Sequence, residues 1–133
     1  MLDFLSAPWF ARFSEELAEV GPDPGAPPLA LGQVVTGTPH GTVCYTVLMD
    51  ATGVKLLVGS TEQAAVTLVE DWETARAIVA GTPVAELLAA GRITLRGDAN
   101  ALLAGQVRLV TLGRSLAALQ RETRTETEGQ KGP

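Results

Sequence analysis

The stretch Glu70–Asp98, EDWETARAIVAGTPVAELLAAGRITLRGD, constrains the fold more than any other part of the chain. It accommodates one order of elements: helix, turn, helix, strand, tight turn. Trp72, Ala75, Ile78 and Val79 recur at the spacing that gathers apolar groups on one side of a helix, while Glu73, Thr74 and Arg76 lie elsewhere. Asp71 is placed to cap that helix and Gly81 to stop it. Thr82-Pro83 restarts the chain as a second short helix, where a missing N–H costs nothing, carrying Val84, Leu87 and Leu88 and ending at Gly91. Arg92–Arg96 then alternates with period two, which turns Ile93 and Leu95 toward a core and leaves Arg92, Thr94 and Arg96 at the surface. Gly97-Asp98 closes the strand and caps the next helix.

The N-terminal segment sets Trp9, Phe10, Phe13, Leu17 and Val20 on one face of an amphipathic helix, opposite Arg12, Glu15 and Glu19, with Pro8 in the first turn. Packing against a sheet accounts for this face better than a membrane-touching patch. Gly21–Pro28 is too rich in proline to continue the helix. Four β-rich runs follow: Gln33–Thr36, Thr42–Asp50, Val54–Gly59 and Ala64–Val69. The turn residues between them, including Ser-Thr-Glu-Gln before the fourth, are of hairpin length. With Ile93 and Leu95 these runs make an α+β domain, a roughly five-stranded, mostly antiparallel sheet covered on one face by helices.

The last helix is expected to run from Ala99 to Gln120. At about 100° per residue, Leu102, Leu109, Leu112, Leu116 and Leu119 cover one side, and Leu103, Val107 and Val110 the adjoining side. Arg108, Thr111 and Ser115 make the polar face. So wide an apolar surface exceeds what one sheet covers. A neighbouring helix or a bound apolar molecule would cover the rest. The domain is taken as residues 1–120. Residues 121–133 contain no apolar side chain to bury and are expected to be a disordered polar tail.

Gly81 and the run Gly91-Arg92-Ile93-Thr94-Leu95-Arg96-Gly97-Asp98, leading into an apolar helix, resemble the sterol carrier protein 2 family, the lipid-binding sterol transfer domain, in a standalone bacterial-type form. The match covers about the last third of the ordered chain, and upstream only the order of elements agrees. The resemblance implies a sterol carrier protein 2-like fold with an apolar tunnel between sheet and C-terminal helix. It also implies non-catalytic binding, and transfer, of fatty acids, acyl-CoA, phospholipids or sterols.

Composition bears on the alternatives. The chain has 133 residues, 46% of them hydrophobic but only 5% aromatic, so a pocket in it would have aliphatic walls. Its net charge of −5, with no basic stripe, argues against nucleic acid. The lone Cys44 excludes an intramolecular disulfide. No apolar run is long enough to span a bilayer and no signal-peptide pattern opens the chain, so a cytoplasmic protein without integral membrane association is expected. His40 sits in a turn, Cys44 reads as a small buried hydrophobe, and Asp71 and Asp98 read as helix caps rather than a carboxylate pair. No nucleophile elbow, P-loop or dinucleotide fingerprint is present. Neither catalysis, metal nor cofactor is expected.

Apolar binding requires none of these groups. Burying a sixteen-carbon tail gains on the order of 12 kcal/mol before immobilisation costs. The expected lining is Val66, Leu68, Leu88, Ile93, Leu95, Leu103, Val107 and Val110, with ordinary core packing as the alternative role of each. A second reading is an interaction module, monomer or homodimer, whose surplus helical surface around Leu112 and Leu116 meets a protein partner.

Overall fold

The structure is a computed structural model and describes residues 1–125. Its elements are β1 (Leu2–Asp3), α1 (Ala7–Ala18), β2 (Leu29–Thr38), β3 (Gly41–Asp50), β4 (Gly53–Val58), β5 (Val66–Asp71), α2 (Trp72–Val79), α3 (Val84–Ala89), β6 (Thr94–Gly97), α4 (Ala99–Ala104), α5 (Gln106–Leu119), a 3-10 turn (Gln120–Glu122) and β7 (Thr123–Arg124). The order β4-β3-β2-β5-β6 makes one five-stranded sheet, antiparallel at every pair except β2 with β5. This is the α+β architecture that the alternating and helical periodicities predict.

The parallel pair corrects one expectation. The Ser-Thr-Glu-Gln connection does not turn a hairpin; residues 59–65 carry the chain across β3 and β2 to the far side of the sheet. Three strand spacings amount to about 14 Å, well within reach of this segment. The crossing is held by Ala65 N–H donating to Ala30 O at 2.9 Å and by Thr46 Oγ1 donating to Ser60 O at 2.7 Å. Gly32 makes room for it, since a Cβ there would lie 2.8 Å from Ala64 Cβ and 2.7 Å from Thr67 Oγ1. Gly32, Thr46 and Thr67 share the sheet face away from the helices, and Thr46 is fully buried there.

The opposite face holds the core. Leu29, Leu31 and Val35 of β2, Tyr45, Val47 and Met49 of β3, and Val66 and Leu68 of β5 alternate inward and are buried. Ser6 caps α1 by accepting from Trp9 N–H, and the helix lays Trp9, Phe10, Phe13 and Leu17 against this face. Trp9 meets Phe4 edge to face at 5.0 Å, and Phe10 meets Tyr45 at 5.3 Å. The aromatic stripe is therefore core, as packing against a sheet requires. Asp71 Oδ1 accepts from Thr74 N–H at 2.8 Å and Asp98 Oδ1 from Asn100 N–H at 2.9 Å, so both carboxylates are caps.

Three expectations about the C-terminal part change. The last helix is not continuous: it breaks at Gly105, which packs so closely that a Cβ there would lie 3.1 Å from Leu29 Cβ. Of the polar face expected at Arg108, Thr111 and Ser115, Arg108 and Ser115 are buried and only Thr111 is partly exposed. Arg108 is only 2% exposed and donates to the carbonyls of Asp23, Ala26 and Pro27, so its guanidinium closes the Pro-rich connector over α5. Burying that face turns Leu103, Val107 and Val110 outward. Finally, residues 121–125 are ordered, with β7 pairing parallel to β1 and Thr123 buried. A short backbone ladder, the Thr123 hydroxyl and the ion pairs Arg12–Glu122 and Arg124–Asp3, rather than apolar side chains, attach this segment. The remainder of the expected disordered tail, residues 126–133, lies outside the described residues.

Candidate functional site

An apolar hollow of about 470 Å³ opens between the sheet, the α2–α3 connection and α5. Leu31, Gln33 and Leu68 form its floor, Ile78, Val79 and the segment Gly81–Ala85 one wall, and Leu109, Val110, Leu112, Gly113, Leu116, Ala117 and Gln120 the other. No charged side chain lines it. Its volume falls within the roughly 300–1,000 Å³ of ordinary ligand sites. Local sequence explains each wall: Gly81, at φ +110°, ends α2 and swings Thr82-Pro83 outward, and Gly113 leaves α5 without a side chain facing the gap.

The expected lining residues divide. Leu68 and Val110 border the hollow, Leu68 from the buried floor and Val110 from the rim, where it is 59% exposed. Val66 and Ile93 are buried in the core, and Leu88 and Leu95 are half-buried against it. Leu103 and Val107 are 63% and 58% exposed and lie outside the hollow. The break at Gly105 and the burial of Arg108 together set this rotation, and neither is visible in a helical wheel. Ile78, Val79 and the Thr82–Ala85 segment, absent from the expected lining, form a wall because the second helix stands off from α5.

Beside the hollow, on the same sheet face, lies a smaller, more enclosed cavity of about 20 Å³, sharing Leu31, Gln33, Ile78, Val79, Leu112 and Leu116 with it. It contains two further polar groups, Tyr45 and Glu70. Glu70 is 5% exposed. Burial, reinforced by the neighbouring Asp71 charge, pushes its carboxyl up to about 8, so it is mostly neutral at pH 7. Burial, and then the Glu70 charge, raise the Tyr45 phenol as well. The Gln33 amide lies against the carboxyl, its oxygen accepting the O–H when Glu70 is neutral and, turned over, its nitrogen donating to both oxygens when Glu70 is ionised. The signal for this cluster was present in the strand parity: Val66 and Leu68 point inward, and two residues on, the same parity carries Glu70 inward.

A second hollow of about 470 Å³, between α1, the connector and α5, is polar and is bordered by Glu16, Glu19, Asp23, Arg108 and Arg114. His40 lies in the β2–β3 turn, its backbone N–H donating to Thr38 Oγ1 at 3.0 Å. Among the described residues no group of three or more His, Cys, Asp or Glu side chains could hold a metal ion, and no helix is long and apolar enough to cross a membrane.

No protein-family model matches the chain, and no curated protein matches it by sequence. Solved structures match it by shape. A crystal structure of sterol carrier protein 2 superposes with a TM-score of 0.63 at 17% identity, covering 91% of this chain and 99% of that one. A conserved protein from Thermus thermophilus, suggested to be a sterol carrier protein, gives 0.60 at 18% identity over 97% and 94% of the two chains. Palmitated sterol carrier protein 2-like 2 from Aedes aegypti gives 0.54 at 24% identity over 77% and 90%.

Proposed function

Taking the sterol carrier protein 2 fold of this chain as the premise, we propose that the protein binds a lipid, non-catalytically, in the hollow between sheet, α2–α3 connection and α5, and carries it. The observation that supports this reading most is the hollow itself: about 470 Å³ of space with aliphatic walls and no charged lining, in a domain that otherwise closes its core. Each buried methylene of a bound chain contributes about 0.8 kcal/mol, so aliphatic walls suffice for affinity. Discrimination by chain length is weak in such a site, since one methylene is worth only about 1–3 kcal/mol. Fatty acids, acyl-CoA, phospholipids and sterols all have a tail that such walls accept. Of the lining residues expected from the sequence, Leu68 and Val110 belong to this site.

Native mass spectrometry of the purified protein tests the reading, together with displacement of a bound fluorescent fatty acid. A co-purified lipid or saturable displacement supports it. Neither a lipid adduct nor displacement, in protein shown to be folded, rules it out.

A second reading rests on a different observation. Leu103, Val107 and Val110 form an exposed stripe at helical spacing, which suits contact with another protein or a second copy. Leu112 is buried and Leu116 half-buried, so charged substitutions there would unfold the domain rather than probe a surface. Val107→Glu is the informative change. A dimer that becomes a monomer while lipid binding persists assigns the stripe to an interface; an unchanged monomeric mass removes this reading.

A further inference from the structure

Residues 82–91 border the hollow through Thr82, Pro83, Val84 and Ala85. Among the described residues, none of their backbone groups bonds to the sheet, to α1, to α4 or to α5. Their bonds run within the segment or to its immediate neighbours: Thr82 N–H donates to Ala77 O, and Arg92 N–H to Leu87 O, both at 2.9 Å. Among the described residues, no side chain of 82–91 makes a hydrogen bond or an ion pair either. The helix within it, α3, has six residues and no side-chain cap, fewer than a helix needs to persist by itself. One buried side chain, Leu87, anchors it, with Val84 and Leu88 half-buried beside it.

The chain is fixed on either side of this segment. Gln120 Nε2 donates to Ala80 O at 3.3 Å before it, and Ile93 is buried after it. The junctions are Gly81, at φ +110°, and Gly91, at φ +74°, where a Cβ would meet nothing within 4 Å. Such glycines let the backbone rotate without displacing a neighbour.

We propose that residues 81–91 are a lid, hinged at the two glycines, which tilts down over a bound hydrocarbon chain and closes the hollow toward α5. The proposal rests on the lipid-binding reading and adds to it how the cargo is retained. Leu87 stays seated in the core as the pivot, so α3 tilts without detaching. On the opposite wall α5 presents Gly113 and Ala117 at the exposed lip, which leaves α3 room to approach. With the hollow empty, Val84 and Leu88 have nothing there to cover. A bound tail supplies that surface, and closure removes the outer side of the tail from water together with both side chains.

Amide hydrogen exchange of the full chain at pH 7, with and without cis-parinaric acid, whose fluorescence reports its own binding, tests the lid. Without the probe, the amides of residues 88–91 should exchange at least about tenfold faster than those of 77–80 in α2, through a local opening. With the probe free at about ten times its Kd they should slow about tenfold, because a ligand held only under the closed lid suppresses opening by that factor. Residues 88–91 do not border the hollow, so their slowing reports movement of the whole segment and not contact with the probe. Slowing confined to residues 82–85 marks a fixed wall and overturns the lid. So does exchange at 88–91 that is already as slow as in α2. Leu87→Ala should speed release of the probe about tenfold in stopped-flow fluorescence, and Leu87→Val, the milder change if the first does not fold, should speed it about threefold. Unchanged release in a folded variant also overturns the lid. Binding without these changes leaves the carrier reading standing, whereas a probe that does not bind removes both.

Discussion

Trp9 Nε1 donates to Thr123 Oγ1 at 3.0 Å, joining the first helix to the end of the described chain inside the core. Thr123 passes the bond on, its hydroxyl donating to Leu119 O at 2.7 Å. Phe4 N–H donates to Arg124 O nearby, and the Arg124 guanidinium pairs with Asp3 at 3.2 Å. Both ends of the described chain are thereby attached to the aromatic cluster, each through only a two-residue strand. Thr123→Val keeps the shape and leaves the indole N–H without an acceptor. We expect a loss of about 1–3 kcal/mol in urea unfolding, with Thr123→Ser costing less than half of that.

The buried Glu70 makes stability depend on pH. Its folded pKa of about 8 exceeds the ordinary 4.5, so the unfolded chain releases this proton first. The contribution is complete below about 4.5, declines as pH rises, and is lost above about 8. Its size is on the order of a few kcal/mol. Between about pH 5 and 9 the unaltered protein should therefore lose about 5 °C or more of melting temperature relative to Glu70→Gln, measured by calorimetry. Parallel profiles for the two proteins would contradict a neutral buried carboxyl.

Gly113 faces the hollow from α5, and a Cβ there meets nothing within 4 Å. Replacing it with Leu fills the space with a good helix former. Lipid binding should fall at least tenfold by fluorescence displacement, while stability stays level or rises by about 0.5–1 kcal/mol. Gly113→Ala should provide the stability gain with little loss of binding.

Gly32 tests the crossover. A methyl group there would strike Ala64 Cβ and Thr67 Oγ1, so the 59–65 segment must lift off the sheet. Gly32→Ala should cost about 1–3 kcal/mol in chemical denaturation and expose the Thr46 hydroxyl bond, seen as faster hydrogen exchange at Ala65.

Much of the architecture was legible in the linear pattern. Three-and-four spacing in 72–79, alternation in β3 and β5, and capping residues such as Asp71 and Asp98 each act over a few residues, and the backbone answers to them locally. Pairing partners lay beyond that range. Nothing in Ser-Thr-Glu-Gln distinguishes a hairpin from a crossing; the choice fell to Gly32, some thirty residues earlier, which leaves room for the chain to pass. The rotation of the last helix was decided in the same way, by Gly105 seating on Leu29 and by carbonyls of the Pro-rich connector drawing Arg108 inward.

The chain by itself determined which segments would be helix and which strand, and that their apolar sides would outnumber the surfaces available to cover them. Folding decided where the surplus went. The polar face of α5 was buried because backbone carbonyls at Asp23, Ala26 and Pro27 offered the Arg108 guanidinium better partners than leaving them unpaired would allow. That placement turned Leu103 and Val107 to the surface and left Val110 and Gly113 at the edge of the hollow. It also placed the floor of the hollow beside a carboxyl that only the strand register carries into the core. Short-range spacing encodes periodicity, but which face meets which partner depends on groups distant in sequence competing for the same few buried contacts.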